Sequence, residues 1–370
     1  MTLSLVRRAL VLVLTTAIAG CASFPALAPA SATAVPARPT LTPSAAPPAL
    51  GSGFPSVSAA ATAEPSTAVR DGEPWIVYQG GRSGPAMIRL VRPDGSGDHV
   101  LAPGIGDEQF HPDWSHDGTT VAFVATAADG TTDLWTVRAD GSDPVLRYDC
   151  QAPCHEVDDP AWSPDDRAIL LVANLDATTP GDGIPTVAIF DLDREQLTTA
   201  LTPPATEWAV NPRWNPNGDA FVTELDRFGS ARFDDETILD GTIGVVHLTA
   251  RTAAFQALLP WSTRAAYPDW SPTGDRIVAV IPDDPAADPA DLVLLSVTDP
   301  HPQRITEFAG TGGWGIQPTW TPDGERILFV GEDIARSQAN AASVRPDGTR
   351  LERMPWDGTY RTHPRLRPGP

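Results

Sequence analysis

The sequence predicts an all-β chain: a six-bladed β-propeller of four-stranded antiparallel blades, its ring closed by the C-terminal strand, behind a disordered tether. Three observations predict it. A short motif, Pro-x-Trp followed by a small polar residue and a turn, returns five times and once more in worn form. Each copy leads into apolar, strand-like runs that lack helical periodicity and are separated by Asp-Gly turns. Finally, the two ends of the repeating region each lack what the other possesses.

Taken in chain order, residues 1–20 read as an export signal. Arg7 and Arg8 supply the charged start, and Ala9 to Ala19 form an apolar run too short to span a bilayer. The run ends in Ile18-Ala19-Gly20-Cys21, which resembles the bacterial lipobox. That resemblance implies cleavage before Cys21, lipid on its sulfur and new α-amine, and a place on the extracytoplasmic side of a bacterial membrane; several acyl chains anchor stably where one is marginal. Residues 21–72 then form the tether. Phe24 and Phe54 are its only aromatics, and Arg38 and Glu64 its only charges before Arg70, so it cannot bury enough apolar surface to offset its chain entropy. Across the whole chain, 26 Lys+Arg stand against 47 Asp+Glu, a net charge of -21, which excludes nucleic acid as a partner because phosphate binding needs a basic face.

The repeating domain is expected over residues 73–370. Its motif centres on Trp114 (His111-Pro112-Asp113-Trp114-Ser115), Trp162, Trp214, Trp270 and Trp320, with Leu366 in the worn copy. Neighbouring centres lie about 50 residues apart, the period of a repeat architecture. After each turn comes a second strand such as Val121-Ala122-Phe123-Val124, then a third such as Asp133 to Val137, then an Asp-Gly turn into a fourth. Asp-Gly supplies the positive φ that tight hairpins need. Trp75-Ile76-Val77-Tyr78 corresponds to a second strand with no motif before it, and Leu366 sits in a first strand with nothing after it. The C-terminal strand therefore completes the first blade, which makes six blades and leaves no open edge between the chain ends.

Pro-x-Trp-Ser-Pro-Asp-Gly followed by an apolar strand resembles the WD40-like repeat of the TolB C-terminal propeller, with related repeats in the propellers of prolyl-oligopeptidase-type peptidases and in actinobacterial lipoproteins. The resemblance covers about residues 72–370 and implies the fold; function follows from sites grafted on such a scaffold. TolB carries an α/β domain before its propeller, whereas here the tether holds that place.

The five repeat tryptophans are expected to pack between blades. No Gly-x-Ser-x-Gly, His-Glu-x-x-His or P-loop occurs. Gly310-Thr311-Gly312-Gly313-Trp314-Gly315 matches Gly-x-Gly-x-x-Gly but lies between strands, so it reads as a loop with an exposed Trp314. Cys150 and Cys154 are the two cysteines left to pair in an exported chain; a metal site using them with His155 and Asp149 is the competing reading.

Strand 2–3 and blade-to-blade connections share one face of the disc, and the long ones there are 174–185, 225–242, 282–291 and 308–316. This acidic face, with Asp226, Asp234, Asp235, Glu236, Asp240, Asp283, Asp284 and Asp288, is the expected binding surface. The residues before the repeat prolines, His111, Asp159, Asn211, Tyr267, Gln317 and His363, are expected to ring one mouth of the channel. Closure places His363, His111 and Asp159 on three consecutive blades, where two imidazoles and a carboxylate could take a divalent cation or hold an acid–base pair. Two functions follow: a lipid-anchored extracytoplasmic module binding a protein or envelope ligand without chemistry of its own, or a metal-assisted lyase or hydrolase at the channel mouth.

Overall fold

The computed structural model describes residues 67–70, 72–81, 84–176, 183–228, 238–248, 254–282, 290–308, 313–333, 338–356 and 361–369. The signal, Cys21 and the tether to residue 66 lie outside these residues, as do the loop acids Asp234, Asp235, Glu236, Asp283, Asp284 and Asp288.

The described residues form six four-stranded antiparallel sheets arranged as a propeller. The first blade contains β1 (Ile76–Gly80), β2 (Met87–Val91) and β3 (His99–Val100). The second runs through β4 (Gln109–Trp114), β5 (Thr120–Thr126), β6 (Thr132–Arg138) and β7 (Val145–Tyr148). The third comprises β8 (Glu156–Trp162), β9 (Ala168–Asn174), β10 (Thr186–Asp191) and β11 (Gln196–Leu201). The fourth holds β12 (Glu207–Trp214), β13 (Ala220–Phe228), β14 (Ile238–His247) and β15 (Phe255–Ala257). The fifth follows a short 3-10 turn at Trp261–Thr263, with β16 (Ala266–Trp270), β17 (Arg276–Pro282), β18 (Ala290–Ser296) and β19 (Gln303–Arg304). The sixth holds β20 (Gly313–Trp320), β21 (Ile327–Asp333), β22 (Gln338–Val344) and β23 (Glu352–Arg353). The last strand, β24 (Arg361–Leu366), pairs with β1 as the innermost strand of the first blade. No helix among the described residues is long and apolar enough to cross a membrane.

Each conserved-looking element of the repeat has a local cause visible in the hydrogen bonds. The small polar residue after Trp turns its side-chain oxygen back on the hairpin: Ser115, Ser163, Ser271 and Thr321 accept the N–H of Thr120, Ala168, Arg276 and Arg326 at 2.9–3.0 Å. Asn215 does the same for Ala220. Such Ser/Thr/Asn closures are what favour these residues in turns. The tryptophans pack between blades as expected. Trp270 shares a cluster with Val222 and Ile243 of the fourth blade, and Trp320 shares one with Val278 and Leu292 of the fifth.

Four expectations are corrected. Val69 already packs on the first core cluster and the Arg70 carbonyl accepts from Arg367 at 2.7 Å, so docking begins before residue 73. The 225–242 connection begins and ends as paired strand, because β13 and β14 stay paired as far as Phe228 and Ile238. The 308–316 connection turns into β20 at Gly313, since Gly315 admits the close approach of Leu292 and Phe329 side chains. Trp314 is accordingly buried instead of exposed.

Candidate functional site on the propeller axis

Proline has no N–H to give the ladder. Accordingly, every innermost strand carries a register break at its repeat proline. The residue before each proline sits in left-handed backbone: His111, Asp159, Asn211, Tyr267, Gln317 and His363 have φ between 48° and 53°. That conformation costs about 1–2 kcal/mol for an ordinary L-residue and is best tolerated by Asn, Asp and His. Four of the six are those types, so their polarity begins as a backbone requirement.

The bulge frees a backbone N–H, and the preceding blade takes it. Gln79 accepts from His111 N at 3.3 Å, Asp159 from Asn211 N at 3.1 Å, Glu224 from Tyr267 N at 2.9 Å, and Gln317 from His363 N at 3.0 Å. Asp159 N bonds to its own neighbour Asp158. These side chains therefore stitch the ring together. Expected from sequence to ring a channel mouth, His111, Asp159, Gln317 and His363 are buried and Asn211 and Tyr267 half-buried, and Asn211, Tyr267, Gln317 and His363 line a partly open pocket. The break turns the side chains inward along the axis.

Of the six, the structure draws His111, Asp159 and His363 together. The imidazoles of His111 and His363 are 4.0 Å apart between centroids. His111 Nδ1 is 2.6 Å from Asp158 Oδ1 and 2.9 Å from Asp159 Oδ1. Burial works to discharge His111, but the Asp158 and Asp159 carboxylates outweigh it and push its pKa up to about 10. Burial would raise the Asp159 carboxyl, yet the facing His111 holds it below the usual range. Burial, reinforced by the His111 charge, drives His363 well below an ordinary histidine, so it is neutral. Asp158 was not singled out from sequence; the paired acids of Asp158-Asp159-Pro160 were the available signal.

Two further polar layers lie nearby, and of their residues sequence had singled out only Asp226, as a loop acid, whereas it lies in β13. The residues after the repeat prolines form an ion-pair plug: Arg365 lies 3.4 Å from Asp113 and 3.7 Å from Asp269 and donates to Thr319 at 2.8 Å. Asp113 and Asp269 also accept the backbone N–H of Trp162 and Trp320 in the following blades, each at 2.8 Å. Beside it, burial and the neighbouring Asp226 charge raise Glu224 well above an ordinary carboxyl, and burial pushes Asp226 up to about 6. The residues before and after the repeat prolines line a cavity of about 20 Å³, among them Asn211, Arg213, Tyr267, Gln317, His363 and Arg365. It has room for about one water-sized guest.

Away from the axis, Cys150 and Cys154 form a disulfide with Cα atoms 5.2 Å apart, so their thiols are not offered to a metal with His155 and Asp149.

The described residues thus form a six-bladed β-propeller whose inner strands bring charged and polar side chains together. The fold is TolB-like. TolB from Acinetobacter baumannii superposes with a TM-score of 0.61 at 15% identity, covering 80% of this chain and 67% of that one. A chain of hydrazine synthase from Kuenenia stuttgartiensis gives 0.62 at 13% identity, over 81% of this chain and 48% of that one. A chain of the nidogen/laminin complex gives 0.56 at 9% identity, over 80% of this chain and 100% of that one. No family model matches the sequence, and no curated protein matches it.

Proposed function

We propose that the protein is an exported, lipid-anchored propeller that binds a protein or cell-envelope ligand on its long-loop face. The observation that carries this reading is an aromatic and arginine cluster on that face at the fourth blade. Trp208 and Phe228 pack with ring centroids 4.3 Å apart, and the Arg227 guanidinium lies 3.8 Å over the Trp261 ring. All four are only partly buried, and Leu239 beside them is 58% exposed. Arg227 is held in place by Glu207 and Asp240 at 3.1 and 3.3 Å. Aromatics and arginine presented on a rigid scaffold are the residues that dominate binding surfaces. A chain of similar fold in the nidogen/laminin complex supports the use of such a disc in protein contact.

Cys21, at the end of the export signal, provides the anchor in this reading, and the tether sets the disc off from the membrane. Two experiments test it. Cys21→Ala should abolish detergent partitioning of the processed protein; a variant that still partitions like wild type rejects the anchor. Crosslinking in intact cells should give a partner adduct that Trp208→Ala and Leu239→Arg together abolish. An adduct pattern unchanged in that double variant rejects the face.

A further inference from the structure

Each of the three converging residues on the axis is held by a partner outside the cluster. Asp158 takes the Nδ1 of His111 at 2.6 Å, the arrangement by which an outer carboxylate orients a metal-ligating histidine, and leaves the other ring nitrogen for a ligand. Asp159 Oδ2 accepts the Asn211 N–H, while its Oδ1 is buried and faces His111 Nδ1 at 2.9 Å. His363 has its backbone held by Gln317, while its Nδ1 is buried without a partner among the described residues. One ligand atom from each residue lies within 4.8 Å of the others.

We propose that His111, Asp159 and His363 ligate a single divalent first-row transition-metal ion, of the zinc or manganese class, on the propeller axis. Two imidazoles and one carboxylate suit such an ion better than calcium or magnesium, which take oxygen ligands. A tetrahedral zinc site with bonds of about 2.0–2.1 Å needs its ligand atoms roughly 3.4 Å apart, so the three side chains must draw in by about 1 Å. Three protein ligands leave a fourth position open, and the cavity beside His363 has room for a water there.

The placement also gives the ion a mechanical role. His363 is on β24, His111 on β4 and Asp159 on β8, so one ion fastens the C-terminal strand to the next two blades. This role does not depend on what the loop face binds.

The test uses the full chain in detergent, stripped with a chelator and titrated calorimetrically with zinc, manganese and calcium. The expected result is one zinc or manganese ion per chain at micromolar or tighter affinity and weaker calcium binding. Asp159→Asn keeps an oxygen for the Asn211 N–H and so removes the ligand charge without the interblade bond. It and His363→Gln should each weaken binding at least tenfold, while circular dichroism shows the metal-free fold retained. No zinc or manganese binding tighter than millimolar overturns the proposal, as does binding that both substitutions leave unchanged. Should a variant fail to fold, X-ray absorption of the wild-type zinc complex decides alone: imidazole scattering supports the site, and its absence overturns it.

Discussion

The buried backbone N–H of His363 is held by the side-chain oxygen of Gln317, one blade earlier, at 3.0 Å. Forty-six residues separate the two, yet the bond follows from local chemistry: the bulge at Pro364 frees the donor and the ring supplies the acceptor. The same bond recurs between other blades with different residue types, which makes it a structural device of the ring.

Gln317→Met should expose its worth. The substitution keeps volume but leaves the His363 N–H buried without an acceptor, a loss of about 1–3 kcal/mol. Thermal melts should show a Tm several degrees lower, with Gln317→Glu recovering part of the difference. A melting curve of Gln317→Met that overlays wild type would show the bond to be dispensable.

Closure of the ring predicts a larger effect. Truncation after residue 360 removes β24, and with it the four buried positions Arg361, Thr362, His363 and Pro364 and the pairing with β1. It exposes the edge of β1 and separates the first and second blades. Cooperative unfolding should be lost or Tm lowered by more than about 10 °C, with aggregation visible by gel filtration.

The Glu224–Asp226 pair predicts a pH-dependent gain. Both carboxyls have folded pKa values raised by burial, Glu224 further by the Asp226 charge, with Asp226 at about 6. A raised carboxyl contributes its stability below the unfolded value near 4, and that contribution is lost as pH rises through the folded value. Glu224→Gln preserves acceptors for Asn211 and Tyr267, which bond to Glu224 at 2.8 and 2.9 Å, and removes one ionisable group. It should stabilise the protein by about 1–2 kcal/mol at pH 8 and have little effect at pH 4. Denaturant midpoints at the two pH values check this; an equal shift at both would contradict the raised carboxyls as its cause.

The disulfide closes a loop of only five residues, from Cys150 to Cys154. Chain-entropy arithmetic gives about 2 kcal/mol for so short a loop. The Cys150→Ala, Cys154→Ala double variant should fold and lose roughly that amount in a denaturant titration. The cost should not vanish on adding zinc, since the thiols belong to a staple.

The blade count, the strand order and the closing strand were all legible in the residues, because they depend on period and alternation, which are one-dimensional properties. Pro-x-Trp marks each inner strand, and Trp75 and Leu366 reveal by their unmatched positions that the ends meet. That His363, His111 and Asp159 fall on consecutive blades was countable in the same way. Their depth was not: whether a residue before proline faces a mouth or the axis depends on the left-handed backbone that the bulge imposes. Trp314 was misread because a Gly-rich run looks like a loop until the Leu292 and Phe329 side chains press against Gly315. Likewise Asp158, Glu224 and the Arg365 plug acquire meaning only where six inner strands converge. Sequence alone determined that this chain builds a closed ring of six blades. Tertiary structure decided which polar groups share the axis, because charges tens to hundreds of residues apart perturb one another only when burial removes the water between them.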